Sequence, residues 1–158
     1  MKMNIGLSDQ NRSGVIQVLS ALLADEHVLY VKTRNYHWNV TGPQFNDLHK
    51  FFESQYDQIE NSIDEIAERI RSLGGKSPGT MTEFLKLTRL KEAPGEFPNA
   101  RSMVAHLLAD HEAILRQLRT DVTACDEKFG DAGTNDFLTG LMESHEKMAW
   151  MLRAFQDE

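Results

Sequence analysis

The sequence predicts an all-α protein, folded as a four-helix bundle with one long crossover connection. Apolar residues recur at the three- and four-residue spacing of a helix in four long segments, and no segment sustains the alternation of a strand. Three of the four prolines lie between residues 76 and 99, which places the long irregular connection after the second helix. A chain of 158 residues can bury one core, so we expect a single domain over residues 1–158.

The first two helices are marked by an apolar stripe, a turn signal and a glycine pair. The stripe of the first helix begins just after Ser13, which is the expected N-cap, so residues 1–12 form a short N-terminal tail. This helix is expected to end near Asn39, before a Thr-Gly-Pro turn. The second helix should begin within residues 44–46 and run to Leu73, where two glycines would stop it.

The second half of the chain repeats this pattern after the crossover. Within residues 76–99 we expect a short helix over Met81–Leu87. A third long helix is predicted over residues 100–126, and a fourth over residues 134–154, after a glycine-containing turn. Four long helices with one long connection between the second and the third are typical of a ferritin-like four-helix bundle.

Composition narrows the classes of function. The 24 acidic and 17 basic residues give a formal net charge of −7, which disfavours nonspecific nucleic-acid binding and suits attraction of cations, although mild acidity also simply keeps a protein dissolved. The single cysteine, Cys125, cannot form an intramolecular disulfide, which favours a reducing compartment. Residues 1–12 lack the apolar stretch of a signal peptide, and no run approaches the ~18 uninterrupted apolar residues of a membrane span. We therefore expect a cytoplasmic protein with no membrane partner.

Five potential metal ligands have spacings that one chain cannot close into a single site. They are His37, His49, Glu53, Asp64 and Glu68. On a helix, His49 and Glu53 share one face, as do Asp64 and Glu68, because residues four apart lie one above the other. The two pairs are separated by about 16 Å of helix. Oxygen and nitrogen ligands lie only roughly 2.0–2.2 Å from the ion. No single ion can therefore reach both pairs of one helix.

Two copies of this helix, packed antiparallel about a twofold axis, would give two identical sites, each shared between subunits. Two imidazoles with carboxylates suit Fe(II), Zn(II) or Mn(II). The alternative is that the carboxylates form a solvated helix face and the histidines are structural. The aromatic and apolar neighbours favour burial instead, and buried carboxylates need a partner or a metal. A structural role is expected for the other histidines, which are His27, His106, His111 and His145.

The residues around these ligands resemble the Dps family of mini-ferritins. The matching segments are Asn35-Tyr36-His37-Trp38-Asn39-Val40, Leu48-His49, Asp64-Glu65-Ile66-Ala67-Glu68-Arg69-Ile70 and Leu73-Gly74-Gly75. A His-Trp pair, twelve residues to the next histidine, and Asp-x-x-x-Glu before a glycine pair form a highly specific pattern. The resemblance extends through the short crossover helix and the segment around Trp150, so it covers nearly the whole chain.

The resemblance implies a hollow dodecamer that oxidises Fe(II) with hydrogen peroxide at its twofold interfaces, stores ferric mineral and protects against oxidative damage. It assigns His37, His49 and Glu53 of one chain and Asp64 and Glu68 of its partner as ligands. Many relatives have Asp where this chain has Glu53, whose longer side chain could bind through water or hold a second ion loosely. Larger ferritins hold iron inside one bundle with Glu-x-x-His motifs, and no histidine here has a glutamate three residues before it.

A second acidic cluster straddles the start of the fourth helix. Its members are Asp126, Glu127, Asp131 and Asp136. Acids near a helix N-terminus cap the helix and complement its dipole, which would account for the cluster without any ligand. The resemblance instead places this region at a threefold pore through which Fe(II) enters. Asp131 and Asp136 are the candidates for lining that pore, with Glu127 beside them.

Two other classes of function compete with iron oxidation. Some relatives in the Dps family condense DNA through basic terminal tails, but the first twelve residues here carry only Lys2 and Arg12 as basic groups. Twelve copies would carry a formal charge of 12 × −7 = −84, so we do not expect direct DNA binding. The other alternative is a catalytically silent bundle whose acids are only solvated.

Overall fold

The computed structural model describes residues 3–156, which form helices and connecting segments without a strand. The helices are α1 (Asp9–Asn39), α2 (Phe45–Ser72), α3 (Met81–Leu87), α4 (Ala100–Thr123) and α5 (Ala132–Ala154), with a π-helical turn over Ala124–Lys128. The predicted all-α bundle with a short helix in its crossover is confirmed. The bounds of α3 and the end of α1 are those that the sequence predicts.

Two helical hairpins build the bundle, α1 with α2 and α4 with α5, and the crossover that carries α3 joins them. Gln55 donates a hydrogen bond to the Met148 carbonyl oxygen at 3.2 Å, and Arg69 donates to the Thr134 hydroxyl oxygen at 3.0 Å, so α2 and α5 run antiparallel. The helices enclose one apolar core, whose fully buried members include Leu19, Leu22, Leu29, Phe52, Ile59, Ile66, Leu107, Ile114, Leu118, Leu138 and Leu152.

The first helix begins earlier than the sequence predicts. Ser8, not Ser13, is the N-cap: its backbone is extended and its hydroxyl oxygen accepts the N–H of Asn11 at 3.0 Å. Asp9 then places a carboxylate in the first turn, where the helix dipole favours it. The prediction of Ser13 was wrong because the first helical turn is polar and adds nothing to the apolar stripe. Residues 9–12 of the expected tail are therefore helical.

The turn between α4 and α5 also differs from the prediction. The α-helical hydrogen bonds of α4 end at Thr123, and the backbone continues as a π-helical turn to Lys128, instead of ending near residue 126. The fifth helix begins at Ala132, two residues before the predicted start, because Asp131 accepts the N–H of Thr134 and caps it.

Helix α1 is long and apolar enough, by length and composition alone, to cross a membrane. Half of its most apolar stretch is buried inside the bundle, and the carboxylates of Asp25 and Glu26 are buried on the same helix. A core helix of a bundle has this composition because it is covered on several sides by other helices. Packing against α2 and α4 therefore accounts for the apolar character of α1.

An ion-pair network fastens the crossover to both hairpins. The Arg89 guanidinium lies 2.6 Å from a carboxylate oxygen of Asp25 on α1 and 3.5 Å from one of Asp121 on α4. Asp25 also accepts the backbone N–H of Arg89 at 2.6 Å and the Thr88 hydroxyl at 2.9 Å. Asp25 is 1% exposed and Asp121 is 5% exposed, so both need these partners. The network sets the position of the crossover relative to α1 and α4.

The π-helical turn packs against the start of α1 at a glycine. Gly14 lies under the ring of Phe129, and a Cβ atom built on Gly14 would overlap three carbon atoms of that ring. No such atom lies near Gly140, an exposed glycine in the interior of α5. Close packing of the π-helical turn onto α1 therefore requires the missing side chain at residue 14.

We expect Gly14→Ala to lower the free energy of unfolding by roughly 1–3 kcal/mol, because the added methyl group must displace the Phe129 ring. The matched variant Gly140→Ala has open space and improves helix propensity, so it should raise the free energy of unfolding by about 0.5–1 kcal/mol. Denaturant unfolding followed by circular dichroism measures both values. Equal effects of the two substitutions would contradict the packing described for Phe129.

Candidate metal centre

His37 and His49 face each other across the turn that joins α1 to α2. Their imidazole rings stack with centroids 3.8 Å apart and planes inclined by 19°. The Nδ1 atom of His37 lies 2.7 Å from the carbonyl oxygen of His49, and the Nδ1 atom of His49 lies 2.8 Å from the carbonyl oxygen of His37. The turn between the antiparallel helices therefore brings the two rings together.

These reciprocal hydrogen bonds fix the tautomer of each ring. A carbonyl oxygen can only accept a hydrogen bond, so Nδ1 is the nitrogen that carries the hydrogen in both histidines. In a neutral imidazole the other nitrogen, Nε2, then has the free lone pair. Histidines that ligate metals are commonly oriented through a hydrogen bond of this kind at their other ring nitrogen. The stacked pair thus offers two Nε2 lone pairs to a cation.

Aromatic side chains enclose the histidine pair. The Phe45 ring stacks on His49 at a centroid distance of 5.2 Å, and the Tyr56 ring meets His37 edge-on at 5.3 Å. His37 is only 7% exposed. Apolar contacts on these sides reduce the access of water and strengthen the interaction of a bound ion with its ligands.

Glu53 lies one helical turn beyond His49 on α2. One of its carboxylate oxygens accepts a hydrogen bond from the Tyr56 hydroxyl, with 3.4 Å between the oxygens. Burial, and then the negative charge of Glu53, raise the pKa of the Tyr56 hydroxyl, which therefore keeps its hydrogen and acts as the donor. The Arg34 guanidinium lies 4.9 Å from the centre of the Tyr56 ring and 5.2 Å from that of Trp38.

Asp64 and Glu68 lie further along α2 and are exposed, as is Glu53. From His49 to Asp64 the helix rises about 22 Å, far beyond the reach of one ion. Between residues 3 and 156, no three His, Cys, Asp or Glu side chains group closely enough to hold a metal ion. The expectation that these carboxylates are buried is not met within one chain. A single subunit therefore assembles the histidine half of the expected site and leaves its carboxylate half open.

The second acidic cluster is divided by the structure. Asp126, Glu127 and Asp136 are exposed, but Asp131 is 4% exposed. Asp131 accepts hydrogen bonds from the N–H of Thr134 at 3.0 Å and from its hydroxyl at 2.6 Å, and its carboxylate lies 3.1 Å from the Arg69 guanidinium. Both oxygens are therefore committed inside the subunit, where they cap α5 and tie it to α2. The role of Asp131 is therefore that of a helix cap, the alternative given above for the acidic cluster. Asp131 is no longer a candidate for lining a pore.

Two residues of this region were not singled out by the sequence. Arg34 lies three residues before His37, and Tyr56 lies three residues after Glu53, so each shares a helix face with a candidate ligand. That spacing is the only signal available in the sequence, and it is too common among helical residues to identify them. The contacts became visible only with the positions of the side chains.

Two of the remaining histidines have structural contacts away from this centre. The His27 ring stacks on Phe84 of α3 at a centroid distance of 3.7 Å, and its Nδ1 atom lies 2.9 Å from the Leu23 carbonyl oxygen. Burial lowers the pKa of His27. The Nδ1 atom of His106 lies 3.0 Å from the Tyr36 hydroxyl oxygen. Both histidines thus link helices, the role that the sequence predicts for them.

Comparison with known proteins gives consistent relationships over nearly the whole chain. The family model of a ferritin-like domain matches residues 16–158. A low temperature-induced protein of Nostoc sp. is 53% identical over 154 residues, which cover 98% of this chain and 86% of that protein. DNA protection during starvation protein 2 of Bacillus anthracis is 43% identical over 145 residues, which cover 91% of this chain and 97% of that protein.

Solved structures give the same relationship at the level of the fold. The crystal structure of the Dps protein of Vibrio cholerae O1, a member of a broad superfamily of ferritin-like diiron-carboxylate proteins, superposes with a TM-score of 0.91 at 32% identity. The superposition covers 99% of this chain and 98% of that one. The predicted ferritin-like arrangement of the helices is confirmed by this likeness.

We expect Asp131→Ala to lower the free energy of unfolding by roughly 0.5–2 kcal/mol, because α5 loses its N-cap. The exposed Asp136, five residues further along, supplies a matched control: Asp136→Ala should change the free energy of unfolding by less than about 0.5 kcal/mol. Urea unfolding of both variants at neutral pH measures the difference. If Asp131→Ala proved as neutral as Asp136→Ala, its assignment to the helix cap would be incorrect.

Proposed function

This chain belongs to the Dps family of ferritin-like proteins, and we propose that it oxidises Fe(II) at sites shared between two subunits and stores the ferric product. The family supports a role in iron storage and protection against stress. The proposal adds the chemistry, the ligands and the assembly. His37, His49 and Glu53 of one chain would bind iron together with Asp64 and Glu68 of its partner.

The observation that carries this proposal is the hydrogen bonding of the histidine pair. Because each Nδ1 atom of His37 and His49 is held by a carbonyl oxygen, each Nε2 lone pair is free before any ion arrives. The rings need no reorientation to bind, so little conformational entropy is lost on binding.

Exposed side chains on the single subunit support completion by a partner. Glu53, Asp64 and Glu68 all lie on the outside of α2. Large apolar side chains are exposed near the site and on α3, namely Trp38 at 64%, Phe45 at 47%, Met81 at 64% and Leu85 at 57%. Contiguous exposed apolar surface is typical of a protein interface. A twofold interface would cover this surface and bring the carboxylates of one copy to the histidines of the other.

The proposed reaction uses hydrogen peroxide as the oxidant. Two Fe(II) ions each lose one electron, the O–O bond of the peroxide breaks, and two protons complete two water molecules: 2 Fe(II) + H2O2 + 2 H⁺ → 2 Fe(III) + 2 H2O. The protein supplies neutral imidazoles and carboxylates that hold the iron and an enclosed site that limits the escape of reactive products. Tyr56, which donates to Glu53, would orient that carboxylate towards the ion.

The proposed assembly is a hollow cytoplasmic dodecamer that takes up iron and retains its mineral. Its formal charge of 12 × −7 = −84 would attract Fe(II) and disfavour direct contact with DNA. Glu127 and Asp136, both exposed beside the π-helical turn, remain the candidates for an entry pore. Asp131 is no longer proposed there because its carboxylate is buried in bonds to Arg69 and Thr134.

We expect a His37→Ala, His49→Ala double variant to assemble normally and to lose rapid oxidation of Fe(II) by peroxide, because the first ligands of the ion are missing. Stopped-flow absorbance of the ferric product measures the rate, and size-exclusion chromatography checks the assembly. His106→Ala, which removes an exposed histidine elsewhere, is the control and should keep the normal rate. An unchanged rate in the double variant would refute the ligand assignment and leave the silent bundle as the better description.

Mixing two inactive variants tests whether each site is shared. In a heterodimer of a His37→Ala, His49→Ala subunit with an Asp64→Asn, Glu68→Gln subunit, one site combines intact histidines with intact carboxylates and the other site loses both. Random reassembly of equal amounts should therefore restore about a quarter of the normal activity. Each variant reassembled alone is the control. No recovery after mixing, with heterodimers verified by mass spectrometry, would contradict a shared site.

A further inference from the structure

Three ionisable side chains from three helices form a hydrogen-bonded chain in the interior of the bundle. Glu26 of α1 is 0% exposed, His111 of α4 is 0% exposed and His145 of α5 is 1% exposed. A Glu26 carboxylate oxygen lies 2.7 Å from Nε2 of His145, and Nδ1 of His145 lies 2.9 Å from Nδ1 of His111. The other Glu26 oxygen and Nε2 of His111 are buried and have no hydrogen-bond partner. The sequence predicted only structural roles for both histidines.

The surrounding helices do not supply a cation to balance Glu26. The buried face of α2 carries no charged side chain, and its one titratable group is the Tyr56 hydroxyl. The other buried acids of α1 and α4 are Asp25 and Asp121, and both pair with Arg89 from the crossover. Buried positions of α5 add no charged group beyond the histidine of the chain itself. His27, the neighbour of Glu26 on α1, interacts with it electrostatically, but burial lowers the pKa of His27, which is therefore neutral at pH 7. Within the described residues, the charge of the chain therefore depends on its own protons.

With His111 neutral and no hydrogen on the unpartnered oxygen of Glu26, the hydrogen bond between the two imidazoles allows two arrangements of hydrogen. In the first, Nδ1–H of His111 donates to His145, whose Nε2–H donates to a Glu26 carboxylate, and the chain has a net charge of −1. In the second, Nδ1–H of His145 donates to His111, which carries its own hydrogen on Nε2. One further hydrogen then lies between His145 and Glu26, and the net charge is zero whichever of the two holds it.

A third arrangement, with a cationic His111, is excluded by its surroundings. Burial, and then the neighbouring His145, hold the pKa of His111 well below its ordinary value. His111 therefore stays neutral and only changes the nitrogen on which its hydrogen lies. The position of that hydrogen, Nδ1 or Nε2, consequently reports the charge of the whole chain.

Ordinary magnitudes decide between the two arrangements. In water at pH 7 an imidazole of pKa ~6.5 needs only about a threefold shift of its equilibrium to be half protonated. Unpaired carboxylates buried in proteins reach pKa values of roughly 8–9, so an unbalanced negative charge is the less stable state at pH 7. We propose that Glu26, His145 and His111 hold one shared proton at neutral pH and thereby form an electrically neutral, proton-dependent lock that joins α1, α4 and α5.

The proposal has a defined consequence for stability at alkaline pH. The folded chain retains one proton on this lock, whereas above pH 8 the same three groups in the unfolded chain are nearly all deprotonated. The folded state then binds one proton more than the unfolded state, so its stability falls as the pH rises. Loss of the proton from the folded state would leave an unbalanced negative charge in the core, which loosens the contact of α1 with α4 and α5.

The experiment compares the full-length protein with Glu26→Gln, which keeps the size of the side chain but cannot hold the shared proton. Denaturant unfolding at equal protein concentration gives the equilibrium constant of unfolding at pH 8 and pH 9. Between pH 8 and pH 9 we expect the equilibrium constant of unfolding of the normal protein to rise more than that of Glu26→Gln, by up to tenfold, because one linked proton has at most that effect per pH unit. Proton linkage at other sites cancels in the difference. Parallel profiles would overturn the proposal, since a chain with a net charge of −1 has no proton to lose.

A second measurement needs no variant at the lock. Solid-state NMR of the sedimented protein, uniformly labelled with ¹³C and ¹⁵N, distinguishes ring nitrogens with and without hydrogen. The Nδ1–Nδ1 coupling identifies the histidine pair, and sequential correlation of each ring with its own backbone separates His111 from His145. Hydrogen on Nε2 of His111 at pH 7 is the expected result, and hydrogen on Nδ1 would overturn the proposal. Neither measurement involves iron, so the outcome is independent of the proposed iron oxidation.

Discussion

The reciprocal hydrogen bonds between His37 and His49 tie the end of α1 to the start of α2. Each imidazole uses the carbonyl oxygen of the other residue, so the geometry of the turn and the orientation of the rings are one and the same constraint. The Tyr56 ring, Phe45 and the hydroxyl contact of Tyr56 to Glu53 are arranged around this pair. The chemistry proposed for the protein depends on rings that are already oriented when the ion arrives.

The same helix that begins at this turn also sets the need for a second subunit. A straight α2 separates its histidine and carboxylate ends by several turns, and no bending of the side chains removes that distance. Glu53, Asp64 and Glu68 are all exposed in one chain. In the proposed assembly, a symmetric pair of subunits would turn this separation into two equivalent sites, and the oligomer would form part of the active site.

Periodicity and turn residues were sufficient to predict the helices, because the apolar stripes and the Pro- and Gly-containing segments are local signals. The cap at Ser8 was missed because the first turn of α1 is polar and has no stripe. The burial of Asp131 was missed because its partner Arg69 lies 62 residues away in sequence. For the same reason the pairing of His111 with His145 could not be seen, since it depends on the register of α4 against α5. Local patterns predict elements, whereas contacts between elements require the packed structure.

Arg89 connects two parts of the bundle that are far apart along the chain. Its carboxylate partners come from different hairpins, Asp25 from the first and Asp121 from the second. Each hairpin is closed by a short local turn and can form early, because its loop closure loses little entropy. The ion pairs of Arg89 can be completed only after the hairpins have docked. The crossover therefore ties the two hairpins together only in the docked bundle, where both carboxylates lie within reach of one guanidinium.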